Sequence, residues 1–390
     1  MSMCDTDSGG SITGPIYTFN YSTVFKDGTN GVDGLGGAKS VTVSPDGNNV
    51  YVGGWDDDAL AVFNRNTTTG ALTYSTNFKD GQDGQDGVDG LGHAISVTVS
   101  PDGNNVYVAG YNDDALAVFN RNTTTGALTY STVFKDGTNG VDGLKGAYSV
   151  TVSPDGNNVY VAGFDDDALA VFNRNTTTGA LTYSTVFKNG TNGVDGLDGP
   201  AAVMVSPDGE NVYVAGYNDD AVAVFNRNTT TGVLTYSTVL KDGVNGVDGL
   251  DGPVAVTVSP DGNNVYVVSL VDDALAVFNR NTTTGVLTYS TVLKDGTNGV
   301  DGLDGAKSVT VSPDGNNVYV VSSQDDALAV FNRNTTTGAL NYSTIFKDGT
   351  NGVDGLDGAY SVTVSPDGNN IYVVSEEDDA LAVFNRSSSQ

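Results

Sequence analysis

The feature that most constrains this chain is a repeated unit marked by the motif SPDG. Successive copies are spaced by 56 residues once and by 53 residues five times, and they begin at Ser44, Ser100, Ser153, Ser206, Ser259, Ser312 and Ser365. Each unit contains four short runs, typified by SVTV, NVYV, ALAVF and LTYSTVF, which are bounded by Gly, Asn, Asp or Pro. This pattern is typical of short antiparallel strands, and the lack of sustained helical periodicity argues against helices.

Four strands per unit, repeated seven times, predict an all-β fold, namely a seven-bladed β-propeller of four-stranded antiparallel blades. The last unit stops after Ala380–Phe384, so it lacks a fourth strand, and Asn20–Phe25 (NYSTVF) matches Asn341–Phe346 (NYSTIF). We therefore expect the N-terminal strand to complete the C-terminal blade and close the ring, which leaves no free sheet edge. A parallel β-helix fits less well, because its coils are usually shorter and lack two tight hairpins each.

The predicted propeller is a single domain at residues 16–386, with a flexible N-terminal tail at 1–15 and a C-terminal tail at 387–390. The N-terminal sequence MSMCDTDSGG has no apolar signal-peptide region, and no apolar run approaches the length of a membrane span. We therefore expect no membrane span. Whether the protein is cytoplasmic or a piece of a longer protein is left open.

The motif SPDGNNVYV, followed by DDALAVFNRNTTTGALT, resembles the blades of the YVTN/lactonase-like seven-bladed propellers. The resemblance extends from about Ser11 to Phe384 and implies the same fold. It also implies a functional site in the central cleft, where the members that act on lactones use sets of His, Arg and Glu, and this sequence has no set that we can match to them. The blades are so nearly identical that the repeat is either recently amplified or engineered.

The charge of the chain is concentrated on one face of the predicted ring. The formal net charge of −30, from 17 basic and 47 acidic residues, argues against a nucleic-acid partner. In a four-stranded meander, the loop between the second and third strands shares a face with the connection between blades. This face, which we call the acidic face, carries all ten lysines and 37 acidic residues, a net charge of −27. The opposite face carries all seven arginines and is close to neutral.

A crowded ring of carboxylates attracts cations, and Ca²⁺ is bound through oxygen ligands alone. The loop residues Asp295, Asn298 and Asp301 offer suitable oxygens, although their spacing does not match that of an EF-hand loop. We expect that no cofactor is required, and calcium at this loop is the alternative hypothesis. A simpler interpretation of the acidic loops is that they confer solubility.

The blades differ mainly at three positions on the acidic face, whereas the NRNTTTG hairpin is identical in all six complete copies although it should be exposed. Just before the first strand stand Lys39, Ile95, Tyr148, Ala201, Val254, Lys307 and Tyr360. The loop between the second and third strands begins with Trp55, Tyr111, Phe164, Tyr217, Leu270, Ser323 and Glu376. It continues with Asp56, Asn112, Asp165, Asn218, Val271, Gln324 and Glu377. Because an unconstrained exposed loop should drift first, this localised divergence predicts recognition at the acidic face.

The variable positions should surround the mouth of the central channel, where four consecutive blades present an arc of aromatic residues. Aromatic rings supply contact area at low entropic cost and can hold cationic ligands. The alternative is that each ring packs against its neighbouring blade as local core, but Ser323 and Glu376 at the same position are poor core residues. The predicted ligand-binding residues are Trp55, Tyr111, Phe164, Tyr217, Lys39, Tyr148, Lys307, Tyr360 and Glu376.

From the sequence we favour a non-enzymatic binding scaffold whose acidic face recognises a protein, a peptide, a glycan or a cation, and we expect a monomer. One alternative is a structural or designed repeat propeller with no natural ligand. The other alternative is a lactonase-like hydrolase, which would need a general base on the acidic face. His93 or Glu376 could supply that base.

Overall fold

The computed structural model describes residues 17–81 and 87–388, and this part of the chain contains strands and no helix. None of its segments forms a helix able to cross a membrane. In chain order the strands are β1 (Tyr17–Lys26), β2 (Ala38–Val43), β3 (Asn49–Gly54), β4 (Ala59–Arg65), β5 (Leu72–Lys79), β6 (Ala94–Val99), β7 (Asn105–Gly110), β8 (Ala115–Arg121), β9 (Leu128–Lys135), β10 (Ala147–Val152), β11 (Asn158–Gly163), β12 (Ala168–Arg174), β13 (Leu181–Lys188), β14 (Pro200–Val205), β15 (Asn211–Gly216), β16 (Ala221–Arg227), β17 (Leu234–Lys241), β18 (Pro253–Val258), β19 (Asn264–Ser269), β20 (Ala274–Arg280), β21 (Leu287–Lys294), β22 (Ala306–Val311), β23 (Asn317–Ser322), β24 (Ala327–Arg333), β25 (Leu340–Lys347), β26 (Ala359–Val364), β27 (Asn370–Ser375) and β28 (Ala380–Ser388).

These strands form seven antiparallel sheets of four strands each, which we number as blades. Blades 1 to 6 are the consecutive groups β2–β5 through β22–β25, and blade 7 has the order β1-β28-β27-β26. The first strands of neighbouring blades contact one another around the ring, and β2 against β26 completes the circle. The predicted seven-bladed propeller is therefore confirmed, and the N-terminal strand closes it as the sequence indicated.

The closing strand is longer than the matched NYSTVF segment, because pairing with β28 runs from Lys26 opposite Ala380 to Tyr17 opposite Ser388. The Tyr17 ring lies over the guanidinium of Arg386, with 3.5 Å between the ring centroid and Cζ. Its hydroxyl donates to Asp314 Oδ2 at 2.6 Å. The predicted tail at 1–15 lies outside the described residues, as do 389 and 390, and the domain boundaries stay a prediction.

The hydrophobic core lies between adjacent blades. All six residues of each second strand are buried, because these strands have a neighbouring blade on both faces. One core cluster, for example, joins Tyr107 and Leu116 of blade 2 to Val159 and Phe172 of blade 3. The fourth strands instead alternate between exposed and half-buried residues, which is the pattern expected at the rim of the ring.

The seven arginines are buried, and each joins its own blade to the preceding one. Arg121 of blade 2 donates from Nε to Tyr51 Oη at 2.8 Å and from Nη2 to Asp46 Oδ2 at 2.8 Å and Asn49 Oδ1 at 2.7 Å. The set recurs around the ring, except that Nε of Arg386 donates to Asn317 instead of to a tyrosine. The aspartate in each set is the one from SPDG, so the two repeat motifs are held together across the blade interface.

The invariance of the NRNTTTG hairpin has a packing cause. Arg65 of this hairpin is buried, and Asn66 Oδ1 accepts hydrogen bonds from the backbone N–H groups of Thr68 and Thr69 at 2.9 and 3.0 Å. Gly70 has a φ of +74°, and a Cβ there would collide with the side chain of Asn370 in the neighbouring blade. The hairpin is thus constrained by structure, which weakens the sequence argument that used it as a freely drifting loop.

Candidate functional site

The first variable position lies inside the innermost strand of each blade, at a β-bulge. In blade 1, Ala38 pairs with Gly54 and Ser40 with Gly53, so Lys39 between them has no partner in the ladder. The same register shift occurs in the other six blades. A bulge re-aims the unpaired side chain. Here it directs the residues of several blades towards the mouth of the central channel, where five of them line one cavity.

The second variable position directly follows the second strand and is tied to the segment before the first strand. The backbone N–H of Trp55 donates to the Gly37 carbonyl at 3.1 Å, and that of Glu376 donates to the Gly358 carbonyl at 3.0 Å. Because this bond is made by the backbone, it forms whatever the side chain at this position is. The residues at the third variable position, such as Val271, are exposed.

Residues from both inner positions enclose a cavity of about 170 Å³ at the acidic face. Blades 3, 4 and 5 each contribute two residues to it, and blades 6 and 7 contribute one each. The lining residues are Tyr148, Phe164, Ala201, Tyr217, Val254, Leu270, Lys307 and Tyr360. Five of the nine predicted ligand-binding residues are among them. A wider groove of about 470 Å³ lies on the opposite face, but apart from Glu210 it is lined by residues that the blades share.

Charged groups are gathered on one side of this cavity. Lys39 Nζ lies 2.9 Å from Glu376 Oε1, 4.1 Å from the ring centroid of Trp55 and 5.1 Å from that of Tyr360. Lys307 Nζ lies 5.3 Å from the ring centroid of Tyr360. Burial lowers the pKa of Lys307, although the nearby Glu376 carboxylate opposes this effect. Lys39 and Glu376, which we predicted as ligand-binding residues, thus form an ion pair beside the cavity.

The predicted aromatic arc forms a continuous row of ring contacts, which we call the aromatic row. The centroid distances between successive rings range from 4.1 to 6.3 Å in the order His93, Trp55, Tyr111, Tyr148, Phe164 and Tyr217. Trp55 and Tyr111 also pack against the core cluster between blades 2 and 3. The alternative from the sequence, that these rings serve as local core, therefore describes part of their environment, as does their position in the aromatic row. These two residues lie beside the cavity, and Phe164 and Tyr217 line it.

His93 contributes the first ring of the aromatic row from a backbone conformation that histidine rarely adopts. Its φ is +52°, and the other six blades have glycine at this position. The imidazole stacks on Trp55 with 4.1 Å between centroids and an interplanar angle of 18°. Neither of the two general-base candidates lines the cavity. Glu376 pairs with Lys39 and affects the pKa of Lys307, which does line it, whereas the His93 ring stacks on Trp55 beside the cavity.

The acidic connections between blades hold lysines. Asp295, Asp301 and Asp325 have carboxylate oxygens within 4.8 Å of one another. Lys347 Nζ lies 3.0 Å from Asp301 Oδ1 and 2.6 Å from Asp325 Oδ1. Asn298, the third residue of the predicted calcium site, is exposed. Calcium binding stays a prediction, and the ammonium group supplies positive charge among these carboxylates.

Sequence reasoning missed the wall formed by Ala201, Val254 and Leu270, although the repeat contains a signal for it. These residues occupy the same repeat positions as Tyr148 and Phe164, which we did predict. The bulge that brings them to the channel was not visible in the sequence, because it depends on strand register. A cavity needs apolar walls as well as polar groups, and small aliphatic residues such as Ala201 and Val254 supply them here.

A family model now identifies the class of protein that this fold and site define. The lactonase family of 7-bladed β-propellers matches residues 19–133, 97–239, 235–344 and 300–390. These overlapping matches cover almost the whole chain, so the chain belongs to this family, as the sequence resemblance indicated. No curated protein sequence matches the chain.

Solved structures with the same fold carry diverse names. The periplasmic gluconolactonase PpgL of Pseudomonas aeruginosa is 21% identical, with a TM-score of 0.62, over 80% of this chain and 86% of that one. Hydrazine synthase of Kuenenia stuttgartiensis is 17% identical, with a TM-score of 0.65, over 94% and 100% of the two chains. The propeller domain of Cps50 (Swd1) from Myceliophteria thermophila is 11% identical, with a TM-score of 0.65, over 94% and 99%. At these identities the likeness shows the fold alone.

Proposed function

We propose that this protein hydrolyses a lactone in the central cavity. Membership of the lactonase family supports this hypothesis over the non-enzymatic scaffold that we favoured from the sequence. Three structural neighbours also carry such names, namely the gluconolactonase PpgL and two proteins of Bacteroides uniformis and Bacteroides fragilis that are each named a "putative 6-phosphogluconolactonase". The observation that carries the proposal is the polar side of the cavity. Lys307, Tyr148 and Tyr360 line it, and the Glu376 carboxylate is near enough to Lys307 to influence its pKa.

Each polar group has a role in this reaction. Glu376 accepts a proton from a water molecule that attacks the lactone carbonyl carbon. The Lys307 ammonium and the Tyr360 hydroxyl donate hydrogen bonds to the oxyanion that develops on the carbonyl oxygen. The ring C–O bond then breaks, and the departing alkoxide takes the proton from Glu376, which yields a hydroxy acid. Lys39 holds the Glu376 carboxylate in place through their ion pair.

Acid release at constant pH from a panel of lactones tests this proposal. Glu376→Gln should lower kcat/KM by at least about 100-fold, since a positioned general base contributes a factor of this size. Glu377→Gln is the matched control, because Glu377 is the adjacent, exposed carboxylate. Equal activity of the two variants would remove Glu376 from the mechanism. Release no faster than in buffer with every lactone would refute the hydrolase.

The aromatic row favours a second candidate function, the recognition of a macromolecular or cationic partner. A run of six rings in contact is more than is needed to enclose one small cavity, and its first ring comes from His93 in an unfavourable backbone conformation. Aromatic surfaces of this kind are enriched at binding hot spots.

Partner recognition is tested with a library of glycans and basic peptides. Alanine replacement of Trp55 and Tyr111 should abolish binding of any glycan or peptide that the wild type binds. Tyr111→Ala alone should leave lactone hydrolysis within a few-fold, because Tyr111 does not line the cavity, whereas Trp55 lies against Lys39. Binding that survives both replacements would contradict recognition by the aromatic row. A protein that neither binds nor hydrolyses any of these compounds would fit the alternative of a repeat propeller without a natural ligand.

A further inference from the structure

We infer that the substrate is a small lactone with an apolar substituent, and that sugar lactones and phosphorylated lactones are poor substrates. This inference rests on the proposed function and adds the substrate class to it. Three observations carry it, namely the position of the arginines, the division of the cavity into two sides, and the size of the cavity.

No arginine lines the cavity, because the seven arginines are buried between the blades. All seven are buried between blades, with exposed fractions of 3 to 6%, and each pairs with an SPDG aspartate on the face opposite the cavity. Arginine is the side chain best suited to bidentate binding of phosphate. Of the two lysines beside the cavity, Lys39 is paired with Glu376. A phosphorylated substrate would therefore bring two negative charges to a site where Lys307 is the remaining cation and the Glu376 carboxylate lies nearby.

The cavity has a polar side and an apolar side. Lys307 and Tyr360 come from blades 6 and 7, whereas blades 4 and 5 contribute Ala201, Val254 and Leu270. With its carbonyl towards Lys307, a bound lactone turns the rest of its ring towards these apolar residues. Among the residues lining this side, only Tyr217 carries a hydroxyl. The hydroxyl groups of a sugar lactone would lose their water here without gaining enough partners, and a buried polar group without a partner is costly.

The volume of the cavity limits how much of a substrate it can enclose. A buried apolar cavity of about 150 Å³ is known to hold benzene. The cavity here, of about 170 Å³, therefore has room for a six-membered lactone with a short alkyl group. A phosphorylated sugar lactone carries a phosphate and several hydroxyl groups besides its ring, so it would extend out of the mouth, where the acidic face repels it.

The test compares three δ-lactones on the intact protein, namely δ-hexalactone, glucono-δ-lactone and 6-phosphoglucono-δ-lactone. We expect kcat/KM for δ-hexalactone to exceed that for each sugar lactone by about 100-fold or more. Leu270→Asn should reduce this preference at least about tenfold, and Val271→Asn should leave it unchanged, because Val271 is the next residue and is 54% exposed. A sugar lactone that is hydrolysed best would overturn the inference while leaving the hydrolase proposal intact.

A binding measurement separates the two proposals. The lactam 6-methyl-2-piperidone has the shape of δ-hexalactone but is not readily hydrolysed, and its binding can be followed by calorimetry. Binding of the lactam without hydrolysis of any lactone would refute the proposed function and retain the apolar ligand class. Failure of the lactam to bind, or equal binding to the wild type and to Leu270→Asn, would refute the apolar ligand class itself.

Discussion

The hydroxyl oxygen of Tyr148 lies 2.9 Å from that of Tyr360, so a hydrogen bond crosses the central channel from blade 3 to blade 7. The Tyr148 ring also contacts Phe164, and the ammonium groups of Lys39 and Lys307 lie over the Tyr360 ring. Burial raises the pKa of both tyrosines, that of Tyr360 well above its usual value. Both hydroxyls therefore stay protonated near neutral pH and can donate hydrogen bonds.

Replacing Tyr360 with phenylalanine removes one donor and keeps the ring. If this hydroxyl stabilises the oxyanion, Tyr360→Phe should lower kcat for the best lactone by about 100-fold, with KM changed only a few-fold. The free energy of unfolding should fall by about 1 kcal/mol, because the Tyr148 hydroxyl loses its partner. Tyr111→Phe is the control, because the Tyr111 hydroxyl donates its hydrogen bond to Asp165 Oδ1, at 3.2 Å, and not to a residue of the cavity. A similar loss of kcat in both variants would contradict the assigned role.

Lys307 should give the reaction an alkaline limit. Burial lowers the pKa of this lysine from its ordinary value of 10.5, and the ammonium form that stabilises an oxyanion exists only below that lowered pKa. The enzymatic rate should therefore decline as the pH rises through it. Lys307→Arg keeps its charge at higher pH, so its decline should move upwards in a pH profile of kcat/KM, after subtraction of the spontaneous rate. Identical profiles for the two proteins would exclude Lys307 as the titrating group.

The repeat was enough to predict the fold, because seven copies of four strands leave few ways to bury the apolar faces. It also located the variable positions, but not the bond between Tyr148 and Tyr360, which lie 212 residues apart. That bond depends on the diameter of the ring and on the bulge at each position. The buried arginines were likewise unforeseen as links between blades, since a hairpin arginine in an isolated repeat looks exposed.

The stability of the ring should fall steeply in acid. Burial alone would raise the pKa of Asp155, but hydrogen bonds from Ser153 and Arg227 outweigh this and lower it from 3.8 to about 2. The pKa of the other six SPDG aspartates is also lowered. Between pH 3.8 and about 2, the unfolded chain binds more protons than the folded one, so stability is lost as the pH falls through this range.

Thermal unfolding as a function of pH measures this effect. The midpoint should drop most steeply between pH 3.8 and about 2, the window that Asp155 defines. Asp155→Asn should be less stable at neutral pH and show a shallower decline, because one of the titrating groups is gone. Asp56→Asn, at an exposed position, should follow the wild type. A flat profile through this window would show that the aspartate–arginine pairs do not contribute to the acid sensitivity.

Replacements of His93 should show how far the stacking of its ring on Trp55 offsets the strain of its backbone. His93→Gly relieves the strain of a φ of +52° but loses the stack on Trp55, so the free energy of unfolding should change by less than about 1 kcal/mol. His93→Ala loses the stack and keeps the strain, and it should be less stable than the glycine variant by about 1 kcal/mol. Denaturant unfolding of the three proteins measures both differences. An alanine variant as stable as the glycine variant would show that the backbone there is not strained.

We expect that β1, the closing strand, can be removed from the chain and supplied again as a separate peptide. A chain that lacks residues 1–26 leaves β28 with an unpaired edge, and exposed edges of this kind pair with other chains. We therefore expect the shortened protein to self-associate, which light scattering would detect. It would also lose the contacts of Tyr17 with Arg386 and Asp314.

A synthetic peptide with the sequence of β1, YTFNYSTVFK, should restore the monomer by pairing with β28 in the observed antiparallel register. The peptide with Tyr17→Ala should bind about tenfold more weakly, because it cannot cover the Arg386 guanidinium or donate to Asp314. A peptide of the same composition in reversed order is the control for unspecific binding. If the shortened protein stays monomeric without any peptide, the ring does not depend on β1 for closure.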